Sequence, residues 1–417
     1  MDEYRIRKDW IMTYLQTLSL LVFAVAIILS TIAYPYMFRF AQKHNIVDSP
    51  NERKLQRMPI PVLGGAVVYI GILAGTMVLL AFTNESLLIW GLLAMTILML
   101  VGIWDDIHDL PASLRFLIEI GIMILFITLT GVYIDSFHGL WGIYEVSPWF
   151  GILLSIIAGI GIINAVNMID GVDGYSSGFG MMACLLFALT YYTVWNITMV
   201  CMAIIVAGAL LPFFLHNVFG VRSKMFIGDG GTMMLGMLMV IFLFFALSSK
   251  TSCHKLENIG ICTPALCLAV LCIPVFDTLR VMTMRMLRGK SPFRPDKTHL
   301  HHLFIDMGFS HLGAALSILL MNTIVVAVWL LTWQAGASFD VQAYVVMGLG
   351  VLMTFVFYKV MKTQQNSGPK DEEGFPQGTW LWHLFCRLGT LSHFEKGRIW
   401  RWLRWIMDTQ FLHHIRF

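Results

Sequence analysis

The sequence predicts an all-α, polytopic membrane protein of about eleven transmembrane helices. Three observations carry this. Hydrophobic residues make up 58% of the 417 residues and charged residues only 13%, where a soluble globular domain carries about 25% charged residues. Too few charges exist to cover a compact surface in water. The apolar residues gather in runs of about 20, the length that crosses a bilayer as a helix. The polar residues gather in short segments between those runs. The net charge of +3 gives no reason to expect nucleic acid as a partner.

The runs begin near Trp10, Val62, Ser86, Ser113, Pro148, Gly178, Ile197, Gly231, Cys262, Gly313 and Val341. The first, from Trp10 to Tyr36, is longer than the core of a secretory signal peptide and lacks a small-x-small cleavage site, so it reads as a span. The runs at Gly178 and Ile197 are divided only by "TVWNIT". Five basic residues (Arg39, Lys43, Arg53, Lys54 and Arg57) follow the first run, and another five (Arg285, Arg288, Lys290, Arg294 and Lys297) follow the ninth. The opposite-side loops hold only Lys250 and Lys255. The excess of Lys and Arg on cytoplasmic loops therefore places the odd-numbered loops in the cytoplasm and the N-terminus outside. Arg5, Arg7 and Lys8 pull mildly the other way. Residues 1–362 form the membrane domain, and 363–417 form a cytoplasmic tail. Cysteines within the apolar runs read as inert buried thiols. Cys253 and Cys262 flank one short loop and could pair if it lies outside.

The polar clusters all fall on the side assigned to the cytoplasm. "WDDIHDLP" brings Asp105, Asp106 and Asp109 to a span end. On a helix Asp105 and Asp109 share a face, and such acids repel unless a cation or strong donors attend them. They also read as solvated acids at a helix end. "NAVNMIDGVDG" repeats Asn164, Asn167, Asp170 and Asp173 every three residues. These hard oxygen donors suit Mg²⁺, which prefers one or two carboxylates plus phosphate oxygens and water. A Gly-Asp turn between spans is the alternative. "FIGDGGTMMLG" sets Asp229 among glycines before a span, as at phosphate-binding helix N-termini. "SPFRPDKTHLHH" sets His299, His301 and His302 behind Arg294 and Lys297. The histidines could ligate a transition metal. Beside arginines they better suit pyrophosphate, which Arg285 can also reach. Together the clusters supply what phosphoryl transfer between a soluble diphosphate and a lipid phosphate needs.

The pieces "NERKLQRMPIPVLGG", "GIWDDIHDL", "NAVNMIDGVDGYSSG", "FIGDGGTMMLG", "PVFDTLRVMTMRMLRGKSPF" and "PDKTHLHHLF", in this order over residues 39 to 312, resemble the polyprenyl-phosphate N-acetylhexosamine-1-phosphate transferases. That superfamily includes the lipid I synthase and the enzymes that start O-antigen, enterobacterial common antigen and teichoic-acid linkage units. Lipid I synthases share an HHH run. "HLHH" at His299 to His302 is similar instead to the branch that uses UDP-GlcNAc.

The resemblance implies transfer of GlcNAc-1-phosphate from UDP-GlcNAc to undecaprenyl phosphate, with UMP released, in the bacterial cytoplasmic (inner) membrane. It implies Mg²⁺ as cofactor, with Mn²⁺ the alternative. It makes Asp105 and Asp106 the paired catalytic acids, with Asp105 the base. Asn167 and Asp229 become metal ligands, with Asp170 a neighbouring candidate, and Asp173 the uracil contact. Asn164, Arg285, His299, His301 and His302 become substrate contacts, and Arg53 and Lys54 hold the lipid phosphate. The lipid I branch further implies a homodimer. Another UDP-N-acetylhexosamine, or UDP-MurNAc-pentapeptide, would use the same chemistry. A transporter would place its polar residues near mid-membrane, not at span ends on one face.

Two features depart from the family pattern. "GDGGT" lacks a serine that many relatives carry near Gly231, and the tail is longer than usual. The tail segment "GTWLWHLFCRLGTLSHFEKGRIWRWLRWIMDTQFLHHIRF" mixes aromatic, apolar and basic residues, as segments lying along a membrane surface do.

Overall fold

The computed structural model describes residues 2–48, 59–83, 85–292, 297–368, 378–393 and 397–415. The chain is helical nearly throughout. In order come α1 (Asp2–Lys43), α2 (Gly64–Leu80), α3 (Ser86–His108), α4 (Ala112–Thr130), α5 (Pro148–Met168), α6 (Tyr175–Thr193), α7 (Ile197–Phe219) and α8 (Gly228–Leu247). A broken pair follows, α9 (Thr263–Val270) and α10 (Cys272–Leu287), then the short α11 (Leu300–Asp306) and α12 (His311–Gln334). α13 (Phe339–Val351) passes through a wide turn at Leu352–Val356 into α14 (Phe357–Asn366), and α15 (Trp380–Leu391) and α16 (Arg398–Ile415) end the chain. Among the described residues the strands amount to one antiparallel pair, β1 (Val47–Asp48) on β2 (Ile60–Pro61).

Every apolar run of the sequence lies on a helix or on the broken pair. Among the described residues eight helices are long and apolar enough to cross a membrane, or nine if α9 and α10 form one span bent by 74°. α2 has 17 residues, and α6 opens on the polar "YSSG", so these two do not meet that test. The protein is therefore an all-α, multi-pass membrane protein, with eight or nine spans by length and apolarity where the sequence suggests eleven.

α8 is the hub. Almost all of its apolar stretch is buried, 94% of the most apolar window, and it packs on α2, α3 and α5. A helix that is apolar all round belongs in such a place. Glycines bring the neighbours close. A side chain at Gly102 of α3 would come within 2.4 Å of the Gly230 nitrogen, and one at Gly65 of α2 within 2.3 Å of the Gly231 Cα. The glycines of "GDGG" thus let two helices press against the start of α8.

The α9–α10 break has a specific repair. Leu271 leaves the helical path, and Pro274 on the next turn has no N–H to donate. The freed backbone groups lie where lipid offers them no partner. Asn322 of α12, 1% exposed, supplies one. Its Nδ2 donates to the carbonyls of Val270 at 3.1 Å and Ala269 at 3.4 Å, and its Oδ1 accepts the Ile273 N–H at 3.0 Å. Asn322→Leu is expected to lower stability by about 2 kcal/mol, because it strands buried backbone groups. Thermal unfolding in detergent checks this.

All seven cysteines are free, and Cys253 and Cys262 are buried without bonding to each other. The pairing considered from sequence does not form. The boundary expected at 362 falls inside α14, which runs on to Asn366. The tail helices pack on the helical body, α15 on α14 and α16 on α7 and α1.

Candidate active site

The polar clusters meet at one end of the bundle. α3 ends at His108, and Asp109 follows in a left-handed turn with φ 49°. Asp109 is exposed and does not share a helical face with Asp105, because the helix has stopped. Asp105 turns inward. Its Oδ1 accepts the Leu110 N–H at 2.7 Å, and its Oδ2 accepts Arg115 Nη1 at 2.8 Å. Asp106 points the other way, to the start of α8, where its oxygens accept the N–H groups of Asp229 at 3.2 Å and Gly230 at 3.5 Å. A carboxylate at a helix N-terminus offsets the partial positive charge there. The free amides that sequence assigns to phosphate are thus taken up by Asp106.

Asp229 follows in the first turn of α8. Arg115 Nη1 reaches its Oδ2 at 3.4 Å, and Asn167 Nδ2 donates to its Oδ1 at 3.1 Å. The same Asn167 nitrogen donates to Thr232 Oγ1 at 2.8 Å. Thr232 therefore supplies a hydroxyl one residue beyond Gly231. One turn back on α5, Asn164 faces inward and donates to the buried Glu119 of α4 at 2.6 Å. It supports α4 against α5.

Beyond Met168 the chain leaves α5 and turns through 169–174. Asp170 is exposed and accepts the Ser176 hydroxyl at 2.9 Å. The surrounding protein partly strips its carboxyl of solvent, and the charges of Asp229, Asp173 and Asp48 add to this, which pushes its pKa up to about 7. Asp173 is largely buried and accepts Lys224 Nζ at 2.5 Å, with His311 Nδ1 at 3.2 Å. Burial works to raise its pKa, but His311 and Lys224 prevail and hold it below the ordinary carboxylate value. Asn217 of α7 links this turn to the next loop, accepting the Gly174 N–H at 2.7 Å and donating to the Met225 carbonyl at 3.0 Å.

The histidines lie against the same turn. A side chain at Gly171 would meet His301 Nε2 at 2.1 Å, so only glycine lets the turn and the ring touch. Burial, then His302 and His299, hold the His301 pKa well below its usual value. His299 and His301 rings are parallel with centroids 5.8 Å apart, and His302 is 4.2 Å from His301. His299 Nδ1 lies 2.9 Å from Asp277 Oδ2. A carboxylate only accepts, so Nδ1 carries the proton in this contact. Asp277 also receives Arg280 Nη2 at 2.7 Å. Arg280 stacks on Tyr358, 3.8 Å from the ring centroid, and holds the Thr298 carbonyl at 2.6 Å.

An acidic pole at the ends of spans thus runs through Asp170 and Asp173 into a histidine pole. The profile of the Glycosyl transferase family 4 matches residues 88–247. The undecaprenyl-phosphate alpha-N-acetylglucosaminyl 1-phosphate transferase of Escherichia coli (strain K12) is 30% identical over 342 residues, 80% of this chain and 88% of that protein. The chain belongs to the polyprenyl-phosphate N-acetylhexosamine-1-phosphate transferases. Within them it joins the branch with GlcNAc names. The probable undecaprenyl-phosphate N-acetylglucosaminyl 1-phosphate transferase of Bacillus subtilis (strain 168) is 28% identical over 304 residues, covering 72% of this chain and 81% of its own. The Yersinia pestis protein with the Escherichia coli name is 31% identical over 297 residues, covering 69% and 77%.

In this transferase the structure brings Asp105, Asp106, Asn167 and Asp229 into one cluster, with Asp170, Asp173 and the three histidines adjoining. Asn164 and Arg285 are placed differently. Asn164 is engaged by Glu119, and the buried Arg285 donates from Nη1 to the Pro292 carbonyl at 2.6 Å, bracing the turn after α10. Arg53, Lys54 and Arg294 lie outside the described residues. Sequence reasoning misses Arg115, Glu119, Thr232, Lys224, His311 and Asp277. The available signal is a charge set within an otherwise apolar helix, as Arg115 and Glu119 are in α4.

Among the described residues no three His, Cys, Asp or Glu converge as a ready-made metal cage. The donor set nevertheless fits a hard divalent cation. Asp105 and Asp229 share Arg115 as their nearby cation, and Asp106 adjoins Asp229 through the Asp229 backbone N–H. Asp229 keeps a side chain 39% exposed, and Asn167 donates through Nδ2, so its Oδ1 is not used in those bonds. Mg²⁺ takes few protein ligands and completes its shell with water and substrate phosphate, which suits an open acidic cluster.

Proposed function

We propose that the protein transfers GlcNAc-1-phosphate from UDP-GlcNAc to undecaprenyl phosphate, giving undecaprenyl-diphosphate-GlcNAc and UMP, as the first membrane step of a cell-surface polysaccharide pathway. Its place in this reading is the bacterial inner membrane, with the site facing the cytoplasm. The observation that carries it is the unbroken line from the acids ending α3 and starting α8, through Asp170 and Asp173, to the histidines around α11. Acids at the ends of membrane-spanning helices meet a lipid acceptor, and histidines at the start of the short α11 meet a soluble donor. The names of the relatives support undecaprenyl phosphate as acceptor and GlcNAc-1-phosphate as the group transferred.

The reaction is an in-line displacement. Arg115 and the Leu110 N–H hold the two carboxylate oxygens of Asp105 in place. Asp105 takes the proton when the lipid phosphate arrives as its monoanion, and Arg115, which also spans to Asp229, steadies the charge as it moves. The phosphate oxygen attacks the β-phosphorus that bears the sugar. Mg²⁺, with Mn²⁺ the alternative, would be held by Asp229 and Asn167 with Asp170 and would supply positive charge against the pyrophosphate and departing UMP. Asp173 uses acceptor capacity left over from Lys224 and His311 for the uracil N–H. His299, fixed by Asp277, and its neighbours His301 and His302 face the pyrophosphate and sugar.

The test is UMP release from UDP-GlcNAc by purified protein, with and without undecaprenyl phosphate. Release that needs both substrates is expected, and no release with either lipid or donor varied would end the proposal. Competing UDP-GalNAc and other UDP-N-acetylhexosamines sets the sugar. Asp173→Asn is expected to raise KM for UDP-GlcNAc about tenfold, the scale of one charge-assisted hydrogen bond, while KM for the lipid phosphate holds. Steady-state kinetics with each substrate varied checks this.

A further inference from the structure

The tail grips the residues next to both partners of Asp173. Beyond α15, Ser392 exchanges hydrogen bonds with Ser310. The Ser310 N–H donates to Ser392 Oγ at 3.0 Å, and Ser310 Oγ donates to the Ser392 carbonyl at 2.9 Å, with both residues buried. His393 Nε2 lies 3.1 Å from the Gly308 carbonyl. Ser310 caps α12 by accepting the Gly313 N–H at 3.0 Å, and His311 is the next residue. On the other side, Asp408 of α16 presents one oxygen, Oδ1, to three successive amides: Val221 at 3.2 Å, Arg222 at 3.1 Å and Ser223 at 3.4 Å. It also receives Ser223 Oγ at 3.3 Å. Consecutive N–H groups converging on an anion form a nest. Trp400 of the same helix packs on Phe219, 4.7 Å between centroids, at the end of α7. The residue after this nest is Lys224, whose Nζ meets Asp173.

We propose that the C-terminal tail is a positioning clasp that holds His311 and Lys224 against Asp173, so that the end of the chain sets the affinity of the nucleotide end of the site. It rests on the reading of Asp173 as the nucleotide contact. Asp408 touches no substrate and acts through the loop it holds. That loop has other anchors, since Tyr34 Oη donates to the Ser223 carbonyl at 2.7 Å and the Phe226 N–H donates to the Pro61 carbonyl at 2.8 Å. Losing Asp408 therefore frees the amides of 221–223 without releasing the whole segment. The clasp separates two effects that a merely structural brace would not, a change in donor affinity and no change in acceptor affinity.

The experiment compares full-length Asp408→Ala, Asp408→Asn and Asp173→Asn in detergent or nanodiscs, by hydrogen exchange and by kinetics with each substrate varied. Asp408→Ala should speed amide exchange at 221–223 and raise KM for UDP-GlcNAc about tenfold, with kcat and KM for undecaprenyl phosphate within about twofold. Asp408→Asn keeps an acceptor oxygen and should recover most of the donor affinity. Unchanged exchange in Asp408→Ala overturns the clasp. So does faster exchange with UDP-GlcNAc KM unmoved while Asp173→Asn moves it, or a fall in kcat alone in both Asp408 variants. If Asp173→Asn leaves that KM unmoved, the nucleotide reading has failed, and exchange at 221–223 alone then decides the clasp.

Discussion

Asp229→Asn is expected to leave the protein folded in detergent and to lower transfer by about a thousandfold, roughly 4 kcal/mol of transition-state stabilisation. The substitution preserves shape. The amide oxygen can still accept Asn167 Nδ2, which reaches Oδ1 at 3.1 Å, and the backbone N–H still meets Asp106. What is lost is the charge, at the one acid in the cluster that is both well exposed, 39% at the side chain, and set between Arg115 and Asn167. Stability should change little, since one of two like charges sharing a single guanidinium is removed. Activity should fall because a neutral amide binds a hard cation poorly. Size exclusion and thermal unfolding report the fold, and UMP release over a range of Mg²⁺ reports the chemistry. Near-normal Mg²⁺-dependent turnover would show that Asp229 is not the metal ligand.

Arg115→Met should damage both fold and chemistry. Its guanidinium bridges Asp105 at 2.8 Å and Asp229 at 3.4 Å, with only 21% of the side chain exposed. Methionine fills the space and leaves the carboxylates facing one another. Removing one partner from a largely buried ion pair costs several kcal/mol. Partial exposure trims this to about 2–3 kcal/mol, seen as a lower unfolding temperature. Transfer should fall at least about a hundredfold, because Asp105 loses the donor that orients it. Arg115→Lys, a single point charge, can meet one carboxylate at a time and should retain intermediate activity. Full activity in Arg115→Met would remove Arg115 from the site.

Much of the fold is legible in sequence because helices in lipid must be apolar for about 20 residues. The start of each run is therefore visible without any tertiary knowledge. The run containing Pro274 is read as one span, since hydropathy records composition and not direction. The bend there depends on a proline and on Asn322 some 50 residues away. In the site, acids and histidines in compact motifs announce themselves. Their partners do not. Arg115 and Lys224 are single charges with no periodicity, and they acquire meaning when α4 and the loop after α7 come against the acids. Asp277 lies inside a motif that sequence singles out, yet its role in holding His299 depends on α10 passing beside the histidine segment.

The close crossing of α3 and α8 has a consequence for how such a site can diversify. A side chain at Gly102 would stand 2.4 Å from the backbone of Gly230, so the spacing of the acids is set by two helices touching through hydrogen atoms inside the bundle. Reactive geometry is thereby inherited from embedded packing and not from the exposed connections around it. Those connections, which meet the soluble donor, are free to drift toward another sugar while the chemical step keeps its register.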